Sequence, residues 1–188
     1  MIIFSNIKSI LLIIFFGLIT SCSSNQSMKP QDFKDKKPRL VIEEYLSGNV
    51  KAWGILQNRS GKVTRQFSAT LNGNWDGKKL ILDEKFNWDD GEVQDRQWHI
   101  TKLDEHNYEG TASDVVGKAK GYSYGPAFKF EYVLLVPVKG KEIKITFDDW
   151  IFMQDEKVAI NRAKMTKFGF KVAELTVFFV KELSLIHI

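Results

Sequence analysis

The sequence predicts an all-β fold, a single antiparallel up-and-down β-barrel of about eight to ten strands. Three observations predict it. Apolar and polar residues alternate with a period of two along most of the chain after residue 50. Turn dipeptides such as Asn72-Gly73 and Asp76-Gly77 divide these runs at spacings of roughly 8–12 residues. No long stretch carries a helical period. A meander of this length exposes two edges unless it closes on itself, and closure into a barrel removes them.

The first 21 residues are set apart from that pattern. Lys8 precedes an apolar core from Ile10 to Ile19, and small polar residues follow. This is the build of a secretory signal, since a spanning helix needs about 20 apolar residues and Thr20, Ser21, Ser23 and Ser24 cut the run short. Ile19-Thr20-Ser21-Cys22 resembles the bacterial lipobox. The resemblance implies cleavage before Cys22 and acylation of its thiol, and with Ser23 next it implies the periplasmic face of the outer membrane rather than the inner membrane. Cys22 is the one cysteine of the chain, so no disulfide claims it. A diacyl anchor with an N-acyl chain would hold the protein stably where one chain would not. Residues 22–38, polar and rich in lysine with Pro30 and Pro38, read as a flexible tether. Residues 39–188 are left as the barrel domain, a length that fits one core.

Within the domain, Arg39 to Tyr45 reads as a short strand or a helical turn. Val50 to Gln57 sets Trp53, Ile55 and Gln57 on one face. After the turn Asn58-Arg59-Ser60-Gly61, Lys62 to Leu71 alternates Val63, Arg65, Phe67, Ala69 and Leu71 against polar residues. Leu80 to Trp88 sets Leu82, Glu84, Phe86 and Trp88 together, and Glu92 to Thr101 does so with Arg96, Trp98 and Ile100. Tyr108 to Val116 is a weaker strand, and Gly117 to Gly125 shows no pattern. Phe128 to Val138 is the strongest strand. Ile143 to Met153 carries Phe147, Asp149 and Ile151 on one face; Val158 to Lys164 and Lys171 to Lys181 complete the set, with one helical turn expected at Lys164 to Phe168. Leu183 to Ile188 has no assigned role.

Alternation turns several charges toward the interior, where an unpaired charge costs several kcal/mol. Arg65, Arg96 and Arg162 would balance Glu84, Asp114 and Asp149. The set forms either an ion-pair network that fixes the barrel or a polar floor whose forked guanidinium groups receive a ligand carboxylate or phosphate. Trp53 and Trp98 would pack the core or line the cavity above it. Candidate ligand-binding residues are therefore Arg65, Arg96, Trp98, Arg162, Trp53 and Asp149.

Other chemistries lack support. His99, His106 and His187 have no metal-ligand spacing, and no nucleophile elbow, phosphate loop or zinc-protease motif is present. Asp89-Asp90, Asp148-Asp149 and Asp155-Glu156 are neighbours in sequence, which in a strand point to opposite faces. No catalytic residue, metal or cofactor is assigned. The 27 basic and 23 acidic residues interleave along the chain, without the concentrated basic face of a nucleic-acid binder.

Ala52-Trp53-Gly54, Asn74-Trp75-Asp76-Gly77, Asp114-Val115-Val116-Gly117, Phe147-Asp148-Asp149-Trp150, Asn161-Arg162-Ala163 and Lys167-Phe168-Gly169-Phe170, behind a lipobox, together resemble a bacterial lipoprotein family, domain of unknown function 3833. The resemblance spans nearly the whole mature chain. It implies a calycin-like, lipocalin-type barrel and, through an association with fatty-acid-modifying genes, a lipid ligand. It brings no residue roles. The reading that follows is an envelope lipoprotein, anchored through Cys22, whose barrel binds a small amphipathic ligand such as a fatty acid or lipid in a cavity of at least a few hundred Å³. The alternatives are an interaction protein with a filled barrel and, more remotely, an enzyme on lipid or cell-wall material.

Overall fold

The computed structural model describes residues 27–182. The expected signal peptide, Cys22 with its expected anchor, and residues 183–188 lie outside the described residues. Ten strands follow one another: β1 (Gly48–Asn58), β2 (Val63–Trp75), β3 (Lys79–Trp88), β4 (Val93–Lys102), β5 (Asn107–Thr111), β6 (Ala119–Tyr124), β7 (Ala127–Val138), β8 (Lys141–Met153), β9 (Val158–Lys167) and β10 (Phe170–Lys181). Each pairs antiparallel with its neighbours, and β1 pairs with β10 from Val50↔Lys181 to Asn58↔Ala173, so the barrel is closed. The expected architecture is the one observed.

The inner face joins large rings to very small residues. Phe67 lies over Gly54, where an added Cβ would fall 2.3 Å from the ring. Phe130 lies over Gly110 in the same way, at 2.5 Å, and Phe128 over Gly121, at 2.8 Å. This explains the strand that sequence alternation missed. The inward residues of β6 are Ala119, Gly121 and Ser123, too small to give an apolar signal because the rings of β7 fill the space beside them. The helical turn expected at Lys164 to Phe168 is instead the end of β9, which runs to Lys167.

One end of the barrel is plugged. Leu40 and Leu46 flank a single helical turn, α1 (Ile42–Tyr45), and Leu40, Ile42, Tyr45 and Leu46 are all buried. The Leu46 carbonyl sits where any side chain at Gly73 would go. Buried Glu43 latches the turn: it pairs with Lys102 and accepts a 2.9 Å hydrogen bond from the Tyr108 hydroxyl. Burial works to raise the Glu43 pKa, but the bonds from Lys102, its own backbone and Tyr108 hold it below the ordinary value. Lys181, the last residue of β10, donates to the carbonyls of Glu44, Tyr45 and Ser47 at 2.6–2.9 Å, serving the open C-terminal carbonyls of the turn.

Part of the segment read as a tether, residues 22–38, packs on the barrel. Pro30–Phe33 forms a 3-10 turn against the barrel wall. The Phe33 ring lies 6.0 Å from Trp150 and 5.6 Å from Phe152, both on the outer face of β8, and this cover is why outward-pointing Trp150 is buried. Leu40 N–H then donates to the Gly125 carbonyl at 2.8 Å. An aromatic anchor in a polar segment overrides its composition, and the chain packs on the barrel from Pro30 onward.

Two substitutions test this packing. Gly121→Val should destabilise the fold by about 1–3 kcal/mol through overpacking. Glu43→Ala, which strands Lys102 and the Tyr108 hydroxyl, should cost at least about 1–3 kcal/mol. Urea unfolding of each variant against the parent reads both effects, and unchanged midpoints would contradict the arrangement.

Candidate functional site

The barrel interior keeps one partly enclosed cavity of about 110 Å³. Ile42 and Leu46 of the plugged end line it below, with Phe128 and Ile100 beside them; Phe67 and Phe86 line it above. It is smaller than the few hundred Å³ expected. Ten strands enclose a wider interior than eight, but Trp98, Phe128, Phe130, Tyr132 and Phe147 fill most of it. Their rings form a continuous file, with Trp98 5.1 Å from Phe130 and 5.3 Å from Tyr132, and Tyr132 stacked on Phe147 at 5.0 Å.

A polar cluster interrupts this apolar lining. Arg96 on β4 donates to Asp114 from Nε at 3.0 Å and from Nη2 at 2.8 Å, and its other arm lies 3.7 Å from Glu84 on β3. Opposite, Asp149 on β8 accepts from the Tyr132 hydroxyl at 2.9 Å and from the Asn161 side-chain amide on β9. Glu84, Arg96, Tyr132, Asp149 and Asn161 all border the cavity. Arg96 is the one cation among the residues that line it, and it is already engaged by two carboxylates.

That imbalance shows in the titration of the two facing acids. Burial pushes Glu84 from the usual 4.5 up to about 7; Arg96 opposes the rise, and Asp149 and Asp114 add to it. Burial likewise lifts Asp149 from 3.8 to about 6, against the hydrogen bonds from Asn161 and Tyr132. The Tyr132 hydroxyl is raised well above its usual value, by burial first and then by Asp149. Below about pH 6 both carboxyls are largely protonated and can donate as well as accept hydrogen bonds; near pH 7 Glu84 is so in part, while Asp149 is mostly ionised and accepts from Tyr132 and Asn161.

The candidate residues divide into three groups. Arg96, Trp98 and Asp149 meet at the cavity. Arg65 has the expected inward parity but stands at the open rim, its guanidinium 4.0 Å above Trp88 and paired with Asp90 and Glu92 at 2.8 Å each. Arg162 and Trp53 are corrections: both point outward. Arg162 is exposed and pairs with Glu174, while Asn161 takes the inward position. Trp53 is 48 % exposed beside Phe178, its partner in register. In each strand the inward residues are small (Val50, Ala52 and Gly54 on β1; Ala159, Asn161 and Ala163 on β9), so the larger outward residues mimic a core face. Tyr132 and Asn161 were not foreseen as site residues. The signal for Asn161 was the Ala-x-Asn-x-Ala run, whose small residues mark a face under crowding. None of the three arginines is both inward and free of a carboxylate partner. Among the described residues no cluster of possible metal ligands occurs.

The raised acids fix the sign of a pH dependence. Between about pH 4 and about pH 7 the folded chain holds protons on Glu84 and Asp149 that the unfolded chain has released, so their stabilisation is present at low pH and declines as pH rises through 6 to 7. Thermal unfolding should show a Tm higher by a few degrees at about pH 5 than at about pH 8. Glu84→Gln should flatten that slope and raise Tm at the upper end. A Tm that climbs with pH over this window would contradict the burial of these acids.

Comparison with known proteins extends the structural result. No curated protein matches the chain. An S-type phycobiliprotein lyase from Guillardia theta superposes with a TM-score of 0.54 at 9 % identity, over 76 % of this chain and 91 % of its own. A protein of unknown function from the DUF3598 family, from Nostoc punctiforme, superposes with a TM-score of 0.58 at 14 % identity, over 78 % of this chain but only 51 % of its own. At these identities the likeness is one of fold, that of a calycin-like barrel. A family model described as protein of unknown function matches residues 16–181. The lipobox side of the motif set lies beyond what the structure describes, but the strand motifs and this match agree, and the chain belongs to the DUF3833 family.

Proposed function

We propose that this protein is a lipid-anchored envelope protein, facing the periplasm, whose barrel binds a small amphipathic ligand such as a fatty acid or lipid. The observation that carries the reading is the cavity itself: an apolar chamber bordered at one level by hydrogen-bonding side chains. A dry cavity of about 150 Å³ accepts benzene, so about 110 Å³ receives a ring or the end of an acyl chain, with the remainder of the ligand reaching toward the rim. Because Arg96 is engaged by two carboxylates and the facing acids Glu84 and Asp149 repel a further negative charge, the polar group suited to this lining is a neutral one. A hydroxyl, an ester or a protonated carboxyl can exchange hydrogen bonds with those acids and with Asn161. The signal peptide and the Cys22 acceptor supply the anchor and the compartment in this reading.

The test is native mass spectrometry of the protein purified from a bacterial host, followed by denaturation and lipid analysis. A stoichiometric adduct, or uptake of an added fatty acid or monoacylglycerol, is expected. Ala52→Leu, which fills the cavity from β1, should weaken uptake by about tenfold or more, the equivalent of about 1.4 kcal/mol. A ligand-free mass that no fatty acid, fatty alcohol or monoacylglycerol shifts would overturn the reading.

A further inference from the structure

The rim opposite α1 differs in character from the plugged end. The β9–β10 hairpin turns on Phe168 and Gly169, between the paired residues Lys167 and Phe170. Both turn residues have positive φ, 51° and 81°, the geometry that Asn-Gly or Asp-Gly ordinarily supplies. Phe168 adopts it without a small polar side chain to ease it, and its ring stands in solvent, 89 % exposed; Phe170 beside it is 74 % exposed. Lys167 Nζ lies 5.4 Å from the Phe168 ring centroid, a weak contact at an exposed site that leaves the apolar surface of the ring in water.

The tips on either side are cationic. In strand order the β1–β2, β9–β10 and β7–β8 tips are consecutive on this rim. The first carries Arg59 and Lys62. The last carries Lys139 and Lys141 on a turn of the same geometry, with φ of 49° at Lys139 and 77° at Gly140. Lys167 and Lys171 flank the two phenylalanines. Acids are fewer along this arc, with Glu142 beside Lys141 and Glu174 paired with Lys171, so its cations remain in excess; Asp89, Asp90 and Glu92 gather on the β3–β4 tip, where Arg65 engages Asp90 and Glu92.

We propose that this arc docks on an anionic lipid bilayer, with Phe168 and Phe170 entering the interfacial region and the flanking cations resting on lipid phosphates. A projecting tip with two rings is far smaller than the roughly 1,000 Å² needed for a stable protein interface. A two-fold contact with a second copy would set this cationic arc against itself. A planar surface of negative charge meets both the convex shape and the sign. The inference rests neither on the ligand in the cavity nor on the Cys22 anchor.

The test uses the chain from residue 22 with Cys22→Ser, which keeps every described residue and removes the acceptor thiol. Co-sedimentation is measured with vesicles of phosphatidylcholine alone and of phosphatidylcholine with phosphatidylglycerol. Binding to the anionic vesicles alone, weakened by salt, is expected. Phe168→Asn should weaken that binding by about tenfold or more while Tm stays level or rises, since Asn suits the turn. Trp53→Ser, on the outer wall, should bind like the parent. No binding to anionic vesicles, equal binding by Phe168→Asn, or loss of binding by Trp53→Ser would overturn the proposal. So would a dimer in sedimentation velocity that Phe168→Asn dissolves, because the tip would then serve self-association.

Discussion

Phe67, Phe128 and Phe130 lie across the barrel interior directly on glycine α-carbons, and the rest of the structure follows from that contact. A closed sheet of ten strands must be filled from inside, and close packing of the interior leaves few voids larger than a water molecule. Large rings do most of the filling here. Each ring needs a neighbour with no side chain, so glycine and alanine appear on the adjoining strands at the same level. Glycine within a strand is unfavourable by itself; beneath a ring it becomes the residue that fits. Ladder hydrogen bonds close the cylinder, and the ring-on-glycine contacts set how much of its volume remains.

What remains is one cavity, and its chemistry is set by the order in which charges find partners. Arg96 takes Asp114 and leans on Glu84, leaving no second cation to neutralise Asp149. Asp149 is held instead by neutral donors, Tyr132 and Asn161. Burial makes the charged form of both facing acids unfavourable, and protonation is the cheaper answer to a surplus of negative charge in a low-dielectric space. A set of residues whose formal charges could have balanced thus becomes a hydrogen-bonding lining in which negative charge is disfavoured, because the other two arginines are spent elsewhere, on the rim and on the outer wall.

Strand count, order and closure were legible wherever inward residues were large. Lys62 to Leu71, Leu80 to Trp88 and Phe128 to Val138 alternate cleanly, and Glu84, Arg96, Trp98 and Asp149 fall on the faces that alternation assigns. Where a strand serves as the bed for a neighbour's ring, the signal inverts or fades. On β1 and β9 the eye follows Trp53 and Arg162 outward; on β6 nothing alternates at all. The inward face of such strands is dictated by a residue on another strand, as Phe67 dictates Gly54, and a period of two within one strand cannot report it. The Phe33 contact with Trp150 and Phe152 was hidden for the same reason: a single ring ordered a segment whose composition reads as linker. The cavity volume is a still less local property, since it depends on how all the rings share the interior.

The two ends of the barrel show how differently local rules can be used. At the plugged end they agree with one another. Glu43 has Lys102 and Tyr108, the open carbonyls of α1 have Lys181, and Leu46 lies against a glycine that leaves room for it. At the opposite rim they are set aside, with a phenylalanine at a position suited to asparagine and cations in excess along one arc. Departures of this kind concentrate where a protein meets something other than itself. With the plugged end sealed by an ion pair and a capped helical turn, the proposed ligand would come by way of the rim, past Phe67 and Phe86, and the Phe168 hairpin stands on that same rim.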